Sequence, residues 1–167
     1  MITKTSLLAT RALLFLAQDK QGVAISPRSI AMHLGESQAY MAKVLRSLVK
    51  TGILRAEHGS RGGVLLNRQP SEIALLSIVE ACQGAIVGSY CEDIDDLETT
   101  CAFHRAAVEL RQAIMTVLSR WNLEQLAKSP SPTKRLPGGK QCMMTAFPLS
   151  SAGTTLGSKS AKRNAMD

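Results

Sequence analysis

Two groups of residues have the types and spacing to do chemistry. The first is Cys91 and Cys101, with nine residues between them, followed by His104. Cys101 and His104 stand at i and i+3 at the start of a helical pattern, which turns both side chains to one side. Thiolate and imidazole together suit a [2Fe–2S] cluster or zinc. A cluster needs a fourth donor. Candidates are Asp93, Asp95, Asp96, Cys82, or a side chain such as His33 supplied by a second copy of the chain. An oxygen donor would leave the cluster more labile. A thiol switch between Cys91 and Cys101 needs no metal at all. Plainer roles exist: Cys82 as a small buried filler, His104 on a helix surface, His33 as a structural residue, Cys142 as a free thiol.

The second group is polar and basic. Ser37, Gln38, Tyr40, Lys43 and Arg46 fall in one helical stretch, Arg28 lies upstream, and Ser60-Arg61 sits between glycines downstream. A glutamine at a helix start can bond an adenine edge bidentately, which is worth ~1–3 kcal/mol of discrimination. Lys43, Arg46 and Arg28 suit phosphates. An arginine on a glycine-flanked tip suits a minor groove, because glycine lets backbone approach closely. Taken singly, Tyr40 could pack on the first helix, Gln38 could be solvated, and Arg61 could be a solubilising charge. The order of the elements that carry them favours duplex DNA.

Those elements follow from local signals. Thr3 or Thr5 caps a first helix with apolar positions Leu7, Leu8, Ala12, Leu13, Phe15, Leu16 and Ala17. Ser26-Pro27 reads as N-cap and first helical residue of a second helix, with Ile30, Ala31 and Leu34 inward. After Gly35, Ser37 caps a third helix to about Lys50, with Met41, Val44, Leu45 and Leu48 inward. Strands over 53–58 and 64–67 flank a glycine-rich hairpin tip. Helix, turn, helix and wing make a winged helix-turn-helix over residues 1–84, in a fold that is mainly α with a small β wing. A fourth helix spans about 75–82. Residues 85–99 read as an acidic loop. A last helix capped by Thr99 or Thr100 runs to about Lys128, so 85–128 forms a sensor loop and dimerisation helix. Its stripe of Phe103, Ala107, Leu110, Ile114, Val117, Leu118 and Trp121 alternates by three and four, the spacing of a helix packed lengthwise on another. A dimer seam or packing on the first helix would cover it. Residues 129–167 read as a disordered basic tail.

Charge divides the same way. Residues 1–70 hold ten Lys/Arg against three Asp/Glu, residues 71–128 four against nine, and residues 129–167 six against one. A basic head is the footprint of a polyanion binder. No run approaches the ~18 apolar residues of a membrane span, and no cleavable leader is visible, so a cytoplasmic, membrane-free protein is expected. Four cysteines there are more often reduced, metal-bound or redox-active than paired. No nucleophile-with-base pattern, phosphate loop or carboxylate pair points to an enzyme.

The stretch Ile30 to Leu54, then Gly59-Ser-Arg-Gly-Gly63, Leu66 to Pro70 and Ile73 to Ala81, together with the opening Thr10 to Ala17, is similar to the Rrf2 family of winged-helix transcriptional regulators, the IscR, NsrR and CymR type. The resemblance covers roughly residues 1–128. It implies homodimers on pseudo-palindromic operators, with long C-terminal helices crossing at the interface. Many members hold an iron–sulfur cluster on three cysteines, and the IscR type adds a histidine three residues after the last cysteine. Cys101 and His104 match those two positions, but the middle cysteine is missing. The CymR type implies the other possibility, a cluster-free regulator controlled by an enzyme partner.

Overall fold

Each of the first three helices starts where a hydroxyl closes its first turn. The structure, a computed structural model, describes residues 2–19, 22–59, 62–86, 100–130, 137–139 and 142–144. Helix α1 (Lys4–Gln18) opens on Thr3, whose Oγ1 accepts from the Ser6 N–H at 3.2 Å while Ser6 Oγ accepts from the Thr3 N–H at 2.9 Å. This reciprocal box satisfies two orphan donors at once. Helix α2 (Pro27–Leu34) opens on Ser26, and α3 (Gln38–Lys50) on Ser37, whose Oγ accepts from the Tyr40 N–H at 3.3 Å. Between them Gly35 takes a left-handed φ of 67°, which any side chain would strain.

The core lies where these helices meet. Leu8, Ala9, Ala12, Leu13 and Leu16 of α1, Ile30, Ala31 and Leu34 of α2, and Met41, Val44, Leu45 and Leu48 of α3 are all buried. Strands β1 (Leu54–Glu57) and β2 (Gly63–Leu66) pair antiparallel, Leu54 opposite Leu66 and Glu57 opposite Gly63. Strand β1 is slightly shorter than the expected 53–58, and β2 lies one position before the expected 64–67. Ile25 adds a bridge to Val64, with N–H to carbonyl bonds of 3.0 and 2.9 Å. Gly63 is needed there: a Cβ would stand 2.5 Å from the Ile25 carbonyl oxygen. That contact ties the wing to the head.

Helix α4 (Leu75–Gln83) ends at Gly84, near the expected boundary. The long last helix is a correction. Helix α5 (Ala102–Arg120) begins at the cap position Cys101 and stops at Trp121, and a separate α6 (Leu123–Lys128) follows. The break has a backbone cause. The Leu75 N–H donates to the Trp121 carbonyl at 2.7 Å and the Leu123 N–H to the Ile73 carbonyl at 2.9 Å. Asn122 then caps α6 through the Gln125 N–H at 2.9 Å, and Leu123 is fully buried. Periodicity alone runs through this point, because a bridge to residues fifty positions upstream leaves no mark on the apolar pattern.

Beyond Pro130 two pieces of the basic tail are described: a single turn at Pro137–Gly139, and Cys142–Met144, whose Met144 packs on the core. The remaining tail and most of the acidic segment, residues 87–99, lie outside the described residues. No described helix is long and apolar enough to cross a membrane.

Candidate nucleic-acid interface and sensor segment

Helix α3 divides into two faces. Met41, Val44, Leu45 and Leu48 are buried against α1, α2 and α4, while Gln38, Lys43, Arg46 and Lys50 are exposed. The four apolar residues recur at helical spacing, so burying them leaves the polar set facing solvent. Arg28, second residue of α2, is exposed as well. No described acidic side chain pairs with Arg28, Lys43, Arg46 or Lys50. Their charge is therefore available to an outside polyanion.

The α3 entry holds the other predicted residues. Gln38 is its first residue, and Ser37 spends a lone pair on the cap. Tyr40 is half-buried, and its Oη lies 2.9 Å from Thr5 Oγ1 on α1. Thr5 is a residue that sequence reasoning passed over as a mere alternative cap. Ser60 and Arg61 fall outside the described residues. The glycines beside them are described: Gly59 has a φ of 117°, and its carbonyl accepts from the Gly62 N–H at 2.9 Å.

Two further positions acquire a role only from packing. His33 stacks on Phe15, ring centroids 4.2 Å apart, and so is held in the head as a structural ring. Arg11 is 4% exposed within α1. Burial lowers its pKa, and the Glu36 charge opposes that shift. An arginine inside the apolar run of residues 7–17 was the available signal.

The sensor residues are spread out. Cys101 is exposed at the start of α5, and His104 is half-buried one turn later. Cys91, Asp93, Asp95 and Asp96 lie outside the described residues. Cys82 is half-buried near the end of α4, where desolvation pushes its thiol up to about 11 from the ordinary 9.0. That holds it as a neutral thiol at neutral pH. Among the described residues no three His, Cys, Asp or Glu side chains gather as a metal site. Cys101 and His104 supply two donors, so the described residues do not fit an iron–sulfur cluster on their own.

Helix α5 also carries most of its apolar stripe in the open. Phe103 is 83% exposed, Leu110 61%, Val117 46% and Trp121 42%, whereas Leu118 is buried.

Comparison with known proteins agrees with this architecture. A family model described as Rrf2, iron-dependent transcriptional regulator, matches residues 2–129. Protein aau3 of Rhizobium meliloti is 26% identical over 132 residues, covering 77% of this chain and 85% of its own. The crystal structure of a Listeria innocua protein assigned as a transcriptional regulator superposes with a TM-score of 0.66 at 27% identity, covering 85% of this chain and 95% of that one. CymR, the global cysteine regulator of B. subtilis, shares the fold with a TM-score of 0.63 at 24% identity, covering 77% of this chain and 96% of its own.

Proposed function

The chain belongs to the Rrf2 family of transcriptional regulators, and we propose that it acts as a homodimer on a pseudo-palindromic DNA operator, with α3 as its recognition helix. The observation that carries this reading is the division of α3, whose apolar face is sunk in the core while Gln38, Lys43, Arg46 and Lys50 face outward. A recognition helix enters the major groove by its N-terminal residues. Ser37 and Gln38 stand there, so Gln38 is the base reader. Lys43 and Arg46, further along, take phosphates, as does Arg28. Ser60 and Arg61 at the wing tip reach the adjacent minor groove. The exposed α5 stripe is the dimer seam.

Gating enters through redox chemistry at Cys101, with His104 beside it and Cys91 at the far side of the acidic segment. An iron–sulfur cluster and direct thiol oxidation are the two forms such gating takes. Iron and sulfide content of anaerobically isolated protein decides between them. A cluster-free regulator answering to a protein partner is the second reading. What favours it is the sequence itself, which places no middle cysteine between Cys91 and Cys101. A pull-down without DNA tests it.

The DNA reading has its own test. Lys43→Ala and Arg46→Ala should each weaken binding to all duplexes and reduce the salt slope by about one. A wild-type chain that retards no duplex even at low salt overturns the reading.

A further inference from the structure

Resting on the DNA-binding reading, we propose that Tyr40 is a positioning residue, which sets the pose of the recognition helix through Thr5 on α1 rather than by touching DNA.

The argument begins with the bond between Tyr40 Oη and Thr5 Oγ1, at 2.9 Å across 35 positions of sequence. Tyr40 is the third residue of α3, in the very turn that presents Gln38. Its ring packs on the core and is half-buried, so its hydroxyl is directed back at the protein. A half-buried phenol gains most when its polar tip is satisfied. The same residue is held at its other end, because its N–H donates to Ser37 Oγ. One side chain and one backbone group thus fix the entry of α3.

The anchor on α1 is itself fixed. Thr5 sits between Lys4 and Ser6 in the capped first turn. Ser6 is fully buried, and its hydroxyl lies 3.4 Å from Gln83 Oε1 at the end of α4. Thr10 Oγ1 donates to the Ser6 carbonyl at 2.8 Å. This turn is therefore bonded to α3 on one side and α4 on the other. A helix entry held to such a turn has a defined angle, and that angle decides whether Gln38 meets a base edge.

The distinction is measurable, because loss of a phosphate contact weakens binding on every sequence, whereas a mis-set reading helix loses discrimination. The probes are the duplex that the wild-type full chain enriches from a random-sequence library, and an unselected duplex of equal length. Thr5→Val and Tyr40→Phe should each lower the affinity ratio between these duplexes, by about 3- to 10-fold for one lost hydrogen bond. The double variant should be no worse than either single one. Thr5→Ser, which keeps the hydroxyl, should restore the ratio. Thermal melting of each variant checks that the head stays folded.

If Tyr40→Phe weakens both duplexes equally and Thr5→Val changes nothing, Tyr40 touches phosphate and the proposal falls. Additive losses in the double variant overturn it too. A wild-type chain that enriches no duplex overturns the DNA-binding reading itself, and this inference with it.

Discussion

Leu13 in α1 and Leu110 in α5 are the same side chain in opposite settings. Leu13 has no exposed surface, while Leu110 is 61% exposed. The head, from α1 to α4 with its wing, buries most of its apolar groups around a core that Leu123 of α6 completes, and side chains cap the starts of α1, α2 and α3. Helix α5 buries Leu118 and leaves Phe103, Leu110, Val117 and Trp121 largely open. The contrast separates two jobs. A region with a closed core is rigid and can hold a helix at a fixed angle. A helix with an unclosed stripe has apolar surface left for another partner, and under the proposed reading its pose responds to what happens at its start. Cys101 and His104 are at that start.

The contrast can be broken most forcefully in the head. Leu13→Ala should cost ~2–5 kcal/mol of folding stability, the usual range for a truncated and fully buried leucine. Urea denaturation of the wild-type and variant chains measures it; a difference under half a kcal/mol would mean the α1 core is not closed as described.

The next effect belongs to α5. Leu110→Glu should leave the melting of the head nearly unchanged but raise the dimer dissociation constant about 30-fold or more, the size of a central interface residue. Sedimentation velocity across a concentration series reads it. Equal association by wild-type and variant would show that this stripe is not the seam.

The smallest effect compares the two described cysteines flanking the acidic segment. Desolvated Cys82 stays protonated at neutral pH, whereas Cys101 is exposed. Iodoacetamide at pH 8 should label Cys101 well before Cys82, as peptide mass spectrometry would report. Linkage adds a pH dependence with a definite sign. Between about pH 9 and about 11 the unfolded chain has lost the Cys82 proton while the folded chain retains it. The contribution of Cys82 to stability is thus complete below about 9 and lost as pH rises through about 11. Comparing wild-type with Cys82→Ser over that window isolates it.

Much of the head was legible in the sequence because its signals are local. Ser26-Pro27, Ser37 and Gly84 mark helix ends through bonds that reach three or four residues, and apolar spacing marks which face is buried. The division of α3 into Met41, Val44, Leu45 and Leu48 against Gln38, Lys43 and Arg46 needs only the helical period. The sequence by itself therefore determined the helices of the head, their inward faces, and the polar set left on the outer face of α3.

Tertiary structure decided the rest. The break at Trp121 comes from backbone bonds to Ile73 and Leu75, the stacking of His33 from Phe15, and the bond of Tyr40 from Thr5. Gly63 looks in sequence like one more hairpin glycine, yet what excludes a side chain there is the Ile25 backbone. Each of these joins residues well apart in sequence, so no short window along the chain contains both partners. The apolar stripe of α5 shows the division most plainly. Its period was written in the sequence, but whether the head would cover it was a matter of volume and packing. The core was already filled by Leu13, Ile30 and Leu45 of the head and Leu123 of α6, and the stripe stayed largely outside.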